Sequence, residues 1–294
     1  MRILLTGAKG QLGCELVQQS RTRGIHIDAT DLPDIDIGRP DHVRHVVAEH
    51  GPTLVINAAA YTAVDKAEED ADIAFQVNAH GPKHLAEACE AAGIPMIQVS
   101  TDYVFDGTRN TPYAEDDPLS PIGVYGISKA KGEIAVRQFL DRHIIIRTSW
   151  LYGVYGDNFV KTMLRLGAEQ EEIKVVADQR GCPTSAADLA AALISVANRI
   201  DSGDVSDWGA YHYCGKGETT WFDFSEAIFE RARKHVDLAV NRVVPISTAS
   251  FGAPAPRPAY SVLSCERIRQ RFGITQRPWF DSLDETIARI YPDE

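Results

Sequence analysis

The residues Thr6-Gly7-Ala8-Lys9-Gly10-Gln11-Leu12-Gly13 follow a short apolar run, Arg2 to Leu5, and open a helical pattern from about Gly10 to Arg21. No other feature constrains the fold as much. Glycines placed between a strand and a helix permit a tight turn, let the backbone approach a pyrophosphate, and let the helix pack closely on the sheet. The helix N-terminus adds free N–H groups and a partial positive charge. The spacing is G-x-x-G-x-x-G rather than G-x-G-x-x-G, which points to one subset of dinucleotide-binding folds. A glycine-rich turn without a ligand is the plainer alternative. Asp31 follows the second apolar run, Ile25 to Thr30, where a carboxylate accepts hydrogen bonds from an adenosine ribose 2′-hydroxyl. Such a residue favours NAD over NADP, while Lys9, Arg39 and Arg44 offset the repulsion of a 2′-phosphate, so the preference stays open. Asp36-Ile37 either brackets the adenine or supplies a solvated loop carboxylate.

Short apolar runs alternate with helical patterns through the first half. Leu54 to Ala58, Ile94 to Ser100 and Ile144 to Thr148 read as strands; Asp72 to Ala92, with Asn78 inside it, and Tyr125 to Asp141 read as helices. This alternation predicts an α/β fold, a Rossmann-type doubly wound parallel sheet covered on both faces. Past residue 148 it weakens into helices at Asn158 to Glu169 and Asp188 to Arg199 around a strand at Ile173 to Ala177. The division expected is a dinucleotide-binding domain of residues 1–148 plus about 172–194. A smaller, discontinuous C-terminal substrate lobe takes about 149–171 and 195–294, with Trp221 in its core.

Composition narrows the function classes. Thirty Lys plus Arg against 41 Asp plus Glu give a net charge of −11, which argues against nonspecific nucleic-acid binding but permits a local pocket for an anion. No apolar run reaches the ~18 residues of a membrane span, and the start does not read as a signal peptide. The five cysteines are scattered without a C-x-x-C, so neither a disulfide framework nor a zinc knuckle is expected, and the reducing cytoplasm is the natural compartment. His80 and His84, and likewise His42 and His45, read as helix residues rather than metal ligands.

Tyr125-Gly126-Ile127-Ser128-Lys129 sets a phenol and an ammonium at i, i+4 on one helix face. A nearby cation favours phenolate and lowers a tyrosine pKa, which makes the pair suited to acid–base work. Val99-Ser100-Thr101-Asp102-Tyr103 ends a strand, placing the Thr101 hydroxyl at a carboxyl end, where open α/β sheets bind ligands. It is suited to hydrogen-bond the substrate oxygen that Tyr125 protonates. Ala58-Ala59-Ala60-Tyr61 ends another strand in small residues fit for close passage of a cofactor, and Thr62-Ala63-Val64-Asp65 reads as a capping box.

With these residues in view, the chain resembles the extended short-chain dehydrogenase/reductases. The further segments Tyr61 to Glu68, Arg147-Thr148-Ser149-Trp150, Asn158-Phe159, Asp178-Gln179-x-Gly181-x-Pro183-Thr184 and Arg257-Pro258-x-x-Ser261-x-Leu263 are similar to the dTDP-4-dehydrorhamnose reductases among them. The resemblance covers nearly the whole chain. It implies reduction of the 4-keto group of dTDP-4-dehydro-6-deoxy-L-mannose to dTDP-L-rhamnose, with NADPH or NADH as donor. Tyr125 is then the general acid, Lys129 holds the nicotinamide ribose, and Thr101 polarises the carbonyl. Asp102, Tyr103 and Trp150 surround the sugar, and Arg257 meets either the substrate diphosphate or a surface carboxylate. Gly10, Gln11, Leu12, Asp31, Asp36, Ile37, Ala60, Tyr61 and Thr62 meet the dinucleotide by position, with Gly7, Gly13 and Ala58 from the loop and strand-end readings.

Members of this family have been associated with a divalent ion bridging subunits. Here Glu15 is present but the second stretch, Ser185 to Ala191, offers Asp188 alone, so no metal ligand is expected and the chain reads as a monomer or weak homodimer. Two rival functions remain: a nucleotide-sugar epimerase or dehydratase, which the single carboxylate after Thr101 disfavours, and a catalytically idle dinucleotide-binding regulatory subunit.

Overall fold

The computed structural model describes residues 1–292. The chain runs β1 (Arg2–Thr6), α1 (Gln11–Thr22), β2 (His26–Thr30), α2 (Pro40–His50) and β3 (Leu54–Asn57). Short helices α3 (Val64–Ala67) and α4 (Ala71–Phe75) precede α5 (Gly81–Ala92), β4 (Met96–Thr101), α6 (Val124–Phe139) and β5 (His143–Thr148). Next come β6 (Leu151–Tyr152), α7 (Phe159–Glu169), β7 (Glu172–Val176), β8 (Arg180–Gly181), β9 (Thr184–Ser185) and α8 (Ala186–Asp201). The last stretch holds β10 (Gly209–His212), β11 (Thr219–Thr220), α9 (Trp221–Ala232), β12 (Arg242–Ile246), α10 (Thr248–Phe251), α11 (Glu266–Phe272) and α12 (Trp279–Ile290).

Six strands form one parallel sheet in the order β10-β5-β4-β3-β1-β2. Because successive side chains point to opposite faces, each apolar run fills two cores. Ile3, Leu5, Leu54, Ile56, Ile144 and Ile146 pack with α1 and α8 on one face. Leu4, Val55 and Ile145 pack with α2 and α5 on the other. Parallel pairing brings every carboxyl end to one edge, and the strand order reverses between β1 and β3, where a crevice opens. No helix among the described residues is long and apolar enough to cross a membrane.

A third core, around Tyr152, Met163, Ile173, Phe224, Phe229 and Leu283, belongs to the smaller lobe. The strand pairings draw that lobe differently from the expected division. β7 pairs with β12 rather than entering the large sheet, and β10 is the large sheet's edge strand beside β5. Exposed Glu172 and Lys174 alternate with buried Ile173 and Val175 along β7, as in a strand covered on one face. The helix expected over Asp72 to Ala92 is also interrupted, by a π turn at Gln76–His80. Pro82 has no N–H to give Asn78 O, its i−4 carbonyl, so the α ladder cannot run through unbroken. The capping box at Thr62 does not form either: the helix begins one residue later, with Ala63 as an N-cap that makes no side-chain bond.

One buried ion pair ties the sheet to α6. Arg147 of β5 donates from Nε and Nη2 to Glu133 Oε1 and Oε2 at 2.9 and 2.8 Å, and both side chains are 1% exposed. Ser100 of β4 donates to the same carboxylate at 2.6 Å. Removing one member strands the other charge in the core, which costs about 3–5 kcal/mol. Arg147→Met is therefore expected to lower unfolding free energy by about that much in denaturant titrations, with Arg147→Met/Glu133→Leu recovering part of the loss. A single-mutant cost below about 1 kcal/mol would contradict this assignment.

Candidate active site

The glycine loop has the geometry its spacing suggested. Gly7 has φ +75°, and a Cβ there would lie 2.5 Å from Ala59 N and 2.7 Å from Ala58 C, so only glycine lets β1 and β3 close at the switch point. A Cβ on Gly13 would lie 2.2 Å from Gly7 O, so α1 docks onto the loop itself. Gly10 N donates to Gly7 O at 3.1 Å.

Around this loop lies a cleft of about 660 Å³ between the large sheet's carboxyl edge and the smaller lobe. Its walls carry Gly7, Gly10, Gln11, Leu12 and Gly13 from the glycine loop and α1, with Ala58, Ala60 and Thr62 after β3. Thr101, Asp102, Tyr103, Tyr125, Lys129 and Trp150 share the same cavity. Three buried side-chain oxygens in these walls, Gln11 Oε1, Asp102 Oδ2 and Thr148 Oγ1, have no hydrogen-bond partner among the described residues. Unsatisfied polar atoms on residues that line a cavity fit a polar ligand seated there. The cleft's lining contains a single cationic side chain, Lys129.

Asn78, presented by the π turn, fastens this site together. Its Oδ1 accepts from Tyr61 N at 2.9 Å, while Nδ2 donates to Tyr61 O at 3.0 Å and to Ser128 Oγ of α6 at 3.1 Å. Helix α6 lies so close that a Cβ on Gly132 would stand 2.1 Å from Asn78 O. Glu68 Oε1 accepts from Val124 N at 2.9 Å and so satisfies a free amide at the start of α6.

Burial governs the electrostatics of Tyr125, Lys129 and Asp102. Tyr125 is raised above the ordinary phenol value, burial first; the Thr101 hydroxyl opposes the shift and the Asp102 charge reinforces it. The expected lowering by Lys129 is not what sets this phenol: burial dominates, and the lysine is turned to a different partner. Lys129 Nζ donates to Val99 O at 2.8 Å, and burial lowers its own pKa to about 8 against the pull of Glu133. Thr101 Oγ1 donates to Asp102 Oδ1 at 2.9 Å and accepts from Tyr103 N at 3.2 Å. Burial pushes Asp102 up to about 6, and Tyr103 packs edge-on to Tyr125 at 5.4 Å.

Five candidates lie outside the cleft's lining. Asp31 accepts from Lys9 N and Leu32 N, both at 2.8 Å, beside a second cavity that also touches Lys9 and Arg21. Asp36 Oδ1 accepts from Gly38 N at 2.9 Å, and Ile37 is buried against α5, where a Cβ on Gly81 would meet its Cδ1 at 2.6 Å. His42 and His84 secure that loop through Asp36 N and Ile37 O, at 3.1 and 3.0 Å. Tyr61 donates its hydroxyl to Asp70 at 3.0 Å. Arg257 is ion-paired with Asp65 at 2.8 Å. The two carboxylates weighed as metal ligands are held by arginines: Glu15 by Arg289 at 2.8 Å and Asp188 by Arg277 at 3.1 Å.

Conversely, the cleft includes residues the sequence reading did not single out for it. Thr148 ends β5 and Ser149 follows it, so the rule that ligands gather at carboxyl ends was signal enough to find them. Trp221, expected in the small lobe's core, packs on that core and also faces the cleft. Gly156 and Asp157 arrive through a loop that no local pattern marks, and Phe159 follows at the start of α7.

The family model described as the RmlD substrate binding domain matches residues 1–291. The dTDP-4-dehydrorhamnose reductase of Sinorhizobium fredii is 42% identical over 283 residues, covering 96% of this chain and 95% of its own. The crystal structure of the Clostridium acetobutylicum dTDP-4-dehydrorhamnose reductase superposes with a TM-score of 0.92 at 42% identity, covering 99% of each chain. That of the Bacillus anthracis dTDP-4-dehydrorhamnose reductase, solved in complex with NADP, gives 0.90 at 41% identity, covering 98% of this chain and 99% of that one. With similarity sustained from end to end, and with the glycine loop, Thr101, Tyr125 and Lys129 gathered in one cleft, the chain belongs to the dTDP-4-dehydrorhamnose reductase family.

Proposed function

We propose that this chain reduces the 4-keto group of dTDP-4-dehydro-6-deoxy-L-mannose to give dTDP-L-rhamnose, with NADPH as the donor. Family membership supports the reaction. The observation that carries it for this chain is the convergence of Thr101, Tyr125, Lys129 and the glycine loop on one cavity.

NADPH, when bound, would supply the hydride that C4 needs. The amides of the glycine loop and the N-terminus of α1 take the pyrophosphate, an arrangement in which backbone dipoles replace cationic side chains. Lys129 has three N–H donors, of which one is given to Val99 O, leaving two for the hydroxyls of the nicotinamide ribose. Tyr125, kept protonated by burial, gives its proton to the C4 oxygen as negative charge grows there. Thr101 donates to the same oxygen, exchanging Asp102 Oδ1 for it, and the two donors are fixed before the reaction begins. Trp150 borders the sugar.

Purified protein should consume NADPH only when the 4-keto sugar nucleotide is present. Absence of turnover with that substrate and either nicotinamide donor would refute the reaction and favour a non-catalytic, dinucleotide-bound role. Tyr125→Phe is expected to lower kcat by about 10²–10⁴-fold while leaving cofactor affinity within about twofold. Equal losses in both would assign Tyr125 a structural part.

The pH profile tests Lys129 separately. With its pKa lowered to about 8, the ammonium predominates below that pH and is lost above it, while the raised phenol stays protonated across the same window. The profile of kcat/KM, which reports free-enzyme groups, should therefore fall above about pH 8. The residual rate of Lys129→Met should lack that limb. An unchanged alkaline limb in Lys129→Met would assign it to another group.

A further inference from the structure

The segment Asp178 to Thr184 takes no part in the chemistry above, yet it is built directly behind Trp150. Trp150 has φ +47° and is the non-glycine residue with a positive φ among those described. A bulky side chain keeps that conformation only where its surroundings impose it. Here Thr184 N donates to Trp150 O at 3.2 Å, Ser149 Oγ donates to Cys182 O at 2.7 Å, and β6 pairs with β9. The indole then lies flat on Trp221, with ring centroids 3.6 Å apart and planes within 8°.

Gly181 makes room for this stack. A Cβ at that position would stand 2.4 Å from Cε2 of Trp150 and 2.6 Å from its Nε1. Trp221 is fixed in turn. Pairing of β11 with β8 sets it beside Gly181, and its Nε1 donates to Gln179 Oε1 at 3.2 Å. Gln179 is 4% exposed and gives its Nε2 to Thr248 Oγ1 at 3.0 Å. Asp178 accepts from that hydroxyl at 2.6 Å and from Thr248 N at 2.9 and 3.0 Å. A chain of directed bonds thus runs from α10 to the face of Trp150.

We propose that Trp221 is a positioning residue for the sugar. Oriented by Gln179 and admitted by Gly181, it holds the Trp150 indole in the orientation that borders the hexose, and the paired rings form a rigid apolar wall against the sugar's C–H face. This rests on the reductase reading above. It also gives Asp178-Gln179-x-Gly181 a physical purpose: the motif is the mount of an aromatic wall.

The test uses the full-length chain with the 4-keto sugar nucleotide. Trp221→Leu and Gly181→Ala should each raise the sugar-nucleotide KM about tenfold, while cofactor Kd stays within about twofold and kcat falls less. Trp221→Phe, which keeps a flat ring, should restore most of the affinity. Gln179→Met alters neither ring and lies outside the cleft's lining, so its KM should rise several-fold through reorientation of Trp221 alone. The near-ultraviolet circular dichroism of the coupled indoles should change in Trp221→Leu and Gly181→Ala as it does in Trp150→Phe. Wild-type turnover with an unchanged sugar KM in Trp221→Leu and Gln179→Met would overturn this inference alone. Equal losses in sugar KM, cofactor affinity and thermal midpoint would mark Trp221 as purely structural and overturn it as well. Absence of wild-type turnover would instead remove the reductase reading on which it rests.

Discussion

The pair of Arg147 and Glu133 is the contact on which the site's geometry depends. It joins β5 to α6, and through Ser100 it includes β4. Those three elements carry Thr101, Tyr125 and Lys129, and β5 leads into Trp150. Arg147 also bonds Glu115 O and His212 Nε2, each at 3.1 Å, so the edge strand β10 and the loop before α6 are bound to the same guanidinium. A charge is expensive to bury, and it is tolerated where its partner is bidentate and its remaining donors are used. Those directional requirements leave little freedom in how far α6 slides along the sheet. Purely apolar packing would constrain that slide less, because dispersion and hydrophobic contacts have no preferred angle.

Glycines and asparagine complete what the ion pair begins. The approaches at Gly7, Gly13 and Gly132 are closer than any side chain allows, and each brings a backbone carrying functional groups against another. Asn78 bridges the Tyr61 backbone and α6 with three hydrogen bonds from one buried amide. The result is a closely packed large lobe around the glycine loop. The smaller lobe's side of the cleft is built differently, by stacked aromatic rings and short two-stranded sheets contributed by segments far apart in the chain.

The charge of −11 acquires a definite meaning from the cleft. Both proposed ligands are anionic, yet Lys129 is the lone cationic side chain in the lining, and Arg257, outside that lining, pairs with Asp65. Attraction therefore falls to oriented amides at the glycine loop, which act at short range and leave the net charge free to stay acidic. This also separates nucleotides from nucleic acids as partners, since the latter need an extended cationic surface.

The glycine spacing, the two-faced apolar strands and the Tyr125/Lys129 pair were legible in the sequence because each is local: a turn, a pleat or one helical turn sets it within a few residues. Strand-end positions followed from the parallel sheet, which put Thr101 in the cleft's lining; the same rule covers Thr148, which the sequence reading did not single out. What the sequence could not determine was set by contacts between distant segments. The pairing of β7 with β12 and of β10 with β5 depends on which edges are free once the core forms. The raised Tyr125 phenol comes from burial rather than from its lysine neighbour four residues on, and burial is a property of the assembled cleft. Likewise, Trp221 reaches the cleft through its stack on Trp150, which lies 71 residues away and is held there by a left-handed backbone and a glycine's missing side chain. Local patterns determined which elements form and which chemistry they carry; tertiary packing decided their dielectric surroundings and partners, because those depend on atoms the chain brings together only when folded.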